Sequence, residues 1–257
     1  GSYIERKAGD RGETEYPDDC IVDFDIRLID LFKELDKKSL TIKERISQEY
    51  YRVKELLDGK VPSRMDLFTW MEDEIYQYCM RNAKENPFRH YLDFLRGLGE
   101  LSEEENKLNT GMGKDFLTLI ETTDMTKVYK MPILYSFYNK GDVRLEVTES
   151  EVLACWKEFF DRNKNWRDFS EGITYEEYKK MSDRQHLTKA KTMPIRFLKE
   201  SGKGFFIEKE GYALAIREDL RPVIKSSAFR AHMKDILEYR TIDYYRRRYR
   251  GKEETTL

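Results

Sequence analysis

Cysteine, histidine and proline are scarce in this chain of 257 residues, at three, three and six. Cys20, Cys79 and Cys155 lie far apart, and no CxxC or Cys/His spacing of a zinc site is present. They read as reduced thiols that pack as small apolar side chains in a cytoplasmic protein. His90, His186 and His232 stand singly, which excludes an HExxH site. His232-Met233-Lys234 begins like the HxK(x)4D phosphodiesterase pattern, but Tyr239 stands where the Asp is needed. A GxxxxGK[ST] phosphate loop is missing too, since Gly111-Met112-Gly113-Lys114 has neither the spacing nor the hydroxyl residue. No apolar run approaches the roughly 18 residues of a membrane span, and no signal peptide is visible. The expectations are a chain that needs no metal or cofactor, hydrolyses neither ATP nor nucleic acid, and meets no membrane. There is no initiator Met, and Gly1-Ser2 reads as a protease scar, so the chain is expected to be a piece of a larger protein.

What is abundant is charge and aromatic surface. Charged residues make up 37 % and apolar residues 39 %, with 17 Tyr and 14 Phe. A net charge of −2 gives no overall nucleic-acid signature. The charge is uneven, however. The stretch YRTIDYYRRRYRGK sets Arg240, Arg246, Arg247, Arg248, Arg250 and Lys252 against Asp243 alone, with Tyr239, Tyr244, Tyr245 and Tyr249 between them. Such a helix end has the chemistry to grip phosphates and stack on bases; it equally suits a solvated last turn that complements its own dipole. The candidate nucleic-acid contacts are Arg64, Arg240, Tyr244, Tyr245, Arg246, Arg247, Arg248 and Arg250.

Along the chain, residues 1–20 read as a polar linker. Residues 21–125 read as an all-helical domain. Phe24, Leu28, Leu31, Phe32 and Leu35 share a first helical face, and Ile42, Ile46, Tyr50, Val53 and Leu57 a second. Thr41 with Glu44 spells a capping box, and Gly59 a stop. Ser63 with Asp66 opens a third helix through VPSRMDLFTWMEDEIYQYCMRN, Asn86-Pro87 a fourth, and a fifth is expected to be interrupted near Gly111-Met112-Gly113.

From residue 126 the pattern changes. Met131-Pro132-Ile133 and Met193-Pro194-Ile195 each lead through an apolar run and glycine to a strand-like tail, ending at Glu146 and Glu208, fifteen positions on in both cases and offset by 62. Val152, Leu153, Trp156, Phe159 and Phe160 mark an amphipathic helix, GFFIEKEGYALAI a hairpin, and the chain closes as helix. The expected class is mainly α: an N-terminal helical bundle followed by small helix–strand, winged-helix-like units in 126–257. These are either two related units, 127–162 and 190–250, or two chance occurrences of MPI at helix starts. Glu208, Lys209 and Glu210 on the hairpin offer a remote nuclease alternative, against the ordinary explanation of a charged turn.

The strings VDFDIRLIDLF, KVPSRMDLFTWMEDEIY, NPFRHYLDFL, LIETTDMTKVYKMPIL and FFIEKEGYALAI together resemble the C-terminal region of bacterial superfamily 2 DEAD/DEAH-box helicases of the restriction- or phage-defence-associated type, over about residues 20–248. The helical part also resembles, loosely, the small DNA-binding repeats beside homing and restriction endonucleases. The helicase resemblance implies a bacterial, cytoplasmic protein with a motor core elsewhere, and makes this chain a non-catalytic accessory domain. Its partners would be nucleic acid, DNA above all, and that core. The rival expectation is a protein-interaction or oligomerisation module, in which the aromatic residues serve an interface.

Overall fold

The computed structural model describes residues 40–139 and 141–249. The expected linker 1–20, the first helix through Phe24–Leu35, Cys20 and Arg250 lie outside the described residues. The chain divides into two compact units, 1–45 and 46–257.

The protein is mainly α, with twelve α-helices among the described residues and two small antiparallel sheets. Helix α1, Ile42–Leu56, begins at Thr41, whose backbone N–H and hydroxyl both donate to Glu44, and it ends in left-handed Asp58 and Gly59. The stretch from Ser63 breaks into α2, Arg64–Trp70, and α3, Asp73–Arg81, where one helix was expected. Side chains of α1 hold the break open. Arg52 donates to Trp70 O at 2.6 Å, and Glu49 accepts from Glu72 N at 2.9 Å, so two backbone groups that a continuous helix would pair are satisfied from outside. After the Asn86-capped turn Pro87–Arg89 come α4, Tyr91–Leu98, and α5, Glu103–Leu108. Helix α6, Met112–Thr122, starts after the expected interruption. Gly113 is required there: a Cβ would meet Val223 Cγ1 at 2.5 Å and Leu108 Cδ1 at 2.6 Å.

Helix α7, Lys130–Phe137, takes Pro132 in its first turn, where the missing N–H removes no helical bond. It is followed by the hairpin β1, Tyr138–Asn139, and β2, Asp142–Val143, then β3, Glu146–Val147, and α8, Glu149–Asp161. Capping boxes at Thr174/Glu177 and Ser182/Gln185 start α9, Tyr175–Lys179, and α10, Asp183–Ala190. A π turn, Lys191–Ile195, joins α10 to α11, Arg196–Ser201. Strands β4, Phe206–Ile207, and β5, Leu214–Ile216, form the expected hairpin about Gly211. Helix α12, Ser227–Tyr249, closes the described chain.

The second sheet has the order β3–β5–β4, with Glu146 opposite Ala215 and Phe206 opposite Ile216. Helix, strand, helix, helix and hairpin, with the last strand central, is the arrangement of a winged-helix unit. Its second and third helices are separated by a larger insert than the usual three- or four-residue turn. This corrects the expectation of two related units. Both strand-like tails flank one strand, β5, and Pro194 does not start a helix. It lies inside the α10–α11 run, where the widened π turn accommodates the absent donor.

The border expected at 125/126 also gives way. Helix α12 buries Phe229, Met233, Ile236, Leu237 and Tyr244 in a core that takes in Leu92 and Phe116 from one side of that border and Phe137, Trp156, Phe160 and Phe206 from the other. No helix of the described residues is long and apolar enough to cross a membrane.

Candidate nucleic-acid interface

The third helix of the winged-helix-like unit is amphipathic in a way that sorts its chemistry. His186, Ala190, Pro194, Ile195 and Leu198 face the core. His186 meets the rings of Phe169 and Tyr178 edge-on at 5.1 and 5.5 Å, and burial lowers its pKa, so it is a neutral packing residue. The outward face carries Arg184, Gln185, Thr188, Lys191, Thr192 and Arg196. Phe197 and Met193 flank it at 39 % and 38 % exposure.

Charge on this segment opposes that of the whole chain. From Asp183 to Lys203 there are six basic residues, Arg184, Lys189, Lys191, Arg196, Lys199 and Lys203, against Asp183 and Glu200. Lys191 pairs with Glu149, Lys199 with Glu208 at 2.5 Å, and Arg196 lies 3.8 Å from Glu200. These pairs are all solvent-exposed, worth about 0–1 kcal/mol each, and can be exchanged for phosphate. Arg184 and Lys203 make no ion pair among the described residues. The β4–β5 hairpin projects beside this face with Ile207 and Tyr212 exposed. Lys209 spans from Glu146, at 2.7 Å, to the Tyr212 ring, at 5.6 Å.

The residues singled out from the sequence are placed otherwise. Arg64, expected at a phosphate, is 1 % exposed; it pairs with Glu121 at 2.6 Å and Asp235 at 3.0 Å and lies over the Tyr91 ring. Arg240 is turned inward and donates to Ile120 O and Thr123 O at 2.8 and 2.6 Å, capping α6; burial pulls its pKa down to about 10. The Tyr244 hydroxyl donates to the buried Asp168 at 2.5 Å, which removes that ring from any stacking platform. Arg248 Nε lies 2.6 Å from the other Asp168 oxygen, an ion pair without the alignment of a hydrogen bond. Arg246 pairs with Asp73 at 2.7 Å and covers the Phe68 and Tyr76 rings. Arg247 pairs with Asp243 at 2.9 Å but is itself 60 % exposed. Arg64, Arg240 and Tyr244 are therefore corrected to structural roles, because buried carboxylates and helix-end carbonyls claim their polar groups.

Tyr245 and Arg246 instead line the wall of a groove of about 1190 Å³, together with Tyr135, Tyr138, Phe159 and Tyr249. Tyr245 and Tyr249 stack at 6.0 Å and 12°. Glu208 and Lys209 sit on the hairpin as ion-paired surface groups. Among the described residues no three His, Cys, Asp or Glu side chains converge on a site that could hold a metal ion.

The α10–α11 face was missed in the sequence. Its signal was present in the Ser182-x-x-Gln185 box and in the basic residues from Arg184 onward, but Pro194 reads as a helix start and splits the element. Comparisons with protein-family models, with curated proteins and with solved structures match nothing.

Proposed function

We propose that the winged-helix-like unit binds duplex nucleic acid, DNA in the first instance, as a non-catalytic module. The exposed face of α10–α11 enters the major groove and the β4–β5 hairpin rests on the neighbouring backbone. The carrying observation is the charge of the α10–α11 segment, strongly basic in a chain of net charge −2 and displayed on the third helix of this arrangement. Gln185 is of the right type to meet a base edge, while Arg184 and Arg196 join the lysines at phosphates. Lys191, Lys203 and Lys209 suit phosphates. The helicase resemblance would make this a guide for a motor's substrate, but binding requires no motor.

The test is fluorescence anisotropy of a duplex of about 20 base pairs over a salt series. If Lys191 and Arg196 each neutralise a phosphate, their joint replacement by Ala flattens the log–log salt slope by about 2. An unchanged slope and affinity would sink the proposal.

One observation favours the rival interaction module: the aromatic groove beside α12, with Ile242 exposed at its edge. Concentration-dependent self-association that Ile242→Asp abolishes would support it.

A further inference from the structure

A second groove, of about 480 Å³, runs beside α10 between its outer flank and the turn around Phe169–Ser170. None of its described lining residues is acidic, in a chain that has 49 Asp and Glu. Two, Arg184 and Lys189, are basic. Lys189 is the unusual one. Its ammonium donates to Ser170 Oγ at 2.6 Å and lies over the rings of Phe169, at 4.6 Å, and Tyr129, at 5.2 Å. It makes no ion pair with a carboxylate among the described residues. Asp168, next along the chain from Phe169, is already engaged by Arg248, by the Tyr244 hydroxyl, and at 3.8 Å by Lys127. Burial, with Lys127 nearby, pushes the Lys189 pKa down, and the attraction of the shared Asp168 charge only partly offsets this. A half-buried cation left with a hydroxyl and two ring faces is a cation short of an anion.

The surrounding donors converge on the same space. The Gln185 side-chain oxygen is taken by the Ser182 backbone and hydroxyl at 2.8 and 3.0 Å, which leaves its NH2 group to donate. Thr192 spends its hydroxyl hydrogen on Thr188 O at 2.8 Å, while the Thr188 hydroxyl makes no hydrogen bond among the described residues. Arg184 is exposed at the groove's edge. Met181 and Met193 supply an apolar margin wider than an anion alone would need.

We infer that this groove is an anion subsite that holds one backbone phosphate of the nucleic acid bound on the α10–α11 face, with Lys189 and Arg184 as its cationic ligands and the two methionines against the adjoining sugar. This rests on the proposed function, and its test separates the two. Inorganic phosphate is titrated into the full chain while the Lys189 side-chain NMR resonances are followed; duplex DNA is titrated in parallel over a salt series. The expected results are a saturable shift with phosphate and a raised Lys189 titration midpoint, both weakened several-fold in Arg184→Ala, an exposed position that leaves folding untouched. Lys189→Met, its fold verified by near-ultraviolet circular dichroism, flattens the DNA salt slope by about 1. A linear, non-saturating response to phosphate, the signature of general ionic strength, overturns the subsite. Saturable phosphate binding with an unchanged DNA slope in Lys189→Met overturns its assignment to the nucleic-acid backbone. If the Lys191/Arg196 pair proves neutral for DNA while Lys189→Met flattens the slope, the subsite stands and the proposed helix face falls.

Discussion

Arg64 and Glu121 form an ion pair 2.6 Å apart with side chains 1 % and 4 % exposed. Asp235 closes the other side of the guanidinium, which also donates to His232 Nδ1 at 3.2 Å. Because Arg can only donate, His232 carries its proton on Nε2 and passes it toward Glu105 at 2.7 Å. Helices α2, α5, α6 and α12 meet in this chain of contacts. Arg64→Met removes the counter-ion of Glu121, whose pKa burial already raises, so the carboxyl must either stay charged and unpaired or take up a proton, and the loss should cost about 3–5 kcal/mol of stability. Chemical denaturation checks this; a loss below 1 kcal/mol would show that water reaches Glu121.

Arg248 and Arg247 should separate in the same experiment. Arg248→Ala strips the buried Asp168 of its nearest cation, with a cost of about 1–3 kcal/mol. Arg247→Ala removes an exposed cation from the buried Asp243, which keeps the Tyr76 hydroxyl as a donor, and should cost less, about 0.5–1 kcal/mol. Equal and negligible effects would return the arginine run to the solvent.

Glu105 gives a dependence on acid. Hydrogen bonds from His232 and from the Ser102 backbone hold its carboxyl down to about 2, against an ordinary 4.5. Between these values the unfolded chain binds the extra proton, so the stabilisation is present above pH 4.5 and is lost as pH falls through 2. After allowance for the solvent that reaches this half-buried group, its share is on the order of 1–2 kcal/mol. Denaturation midpoints at pH 5 and pH 2.5 should differ less in Glu105→Gln than in wild type.

Two glycines should respond with opposite sign. Gly97 lies in α4 with open space where a Cβ would stand, so Gly97→Ala gains about 0.5–1 kcal/mol of helix propensity. Gly113→Ala gains the same propensity, but its methyl group collides with Val223 and Leu108, and overpacking costs about 1–3 kcal/mol. Thermal melts of the two variants should move in opposite directions.

The helices and hairpin were legible in the sequence because their signals are local. Thr41, Ser63 and Asn86 cap where their spacing says, and the hairpin turns at Gly211. One break was illegible because distant side chains make it. The gap between α2 and α3 depends on Arg52 and Glu49 from α1. The site was read less well for a related reason. A run such as Arg246-Arg247-Arg248 announces charge, while the carboxylates that meet it, Asp73 and Asp168, lie 173 and 80 positions away. The basic face of α10–α11, by contrast, is spread over some twenty residues and interleaved with core positions, so no short window of sequence displays it.

Pro194 also decides where the side chains of the exposed face point. An α-helix advances about 100° per residue, so in an unbroken helix Arg184 and Arg196 would stand about 120° apart around the axis. The π turn at Lys191–Ile195 takes up one extra residue, which brings the two guanidinium groups to within about 20° of a common line. The proline that obscures the helix in the sequence thus phases its two arginines, and rewinding that turn into regular α-helix at unchanged length would swing Arg196 about 100° out of line with Arg184 while leaving both ends of the helix intact.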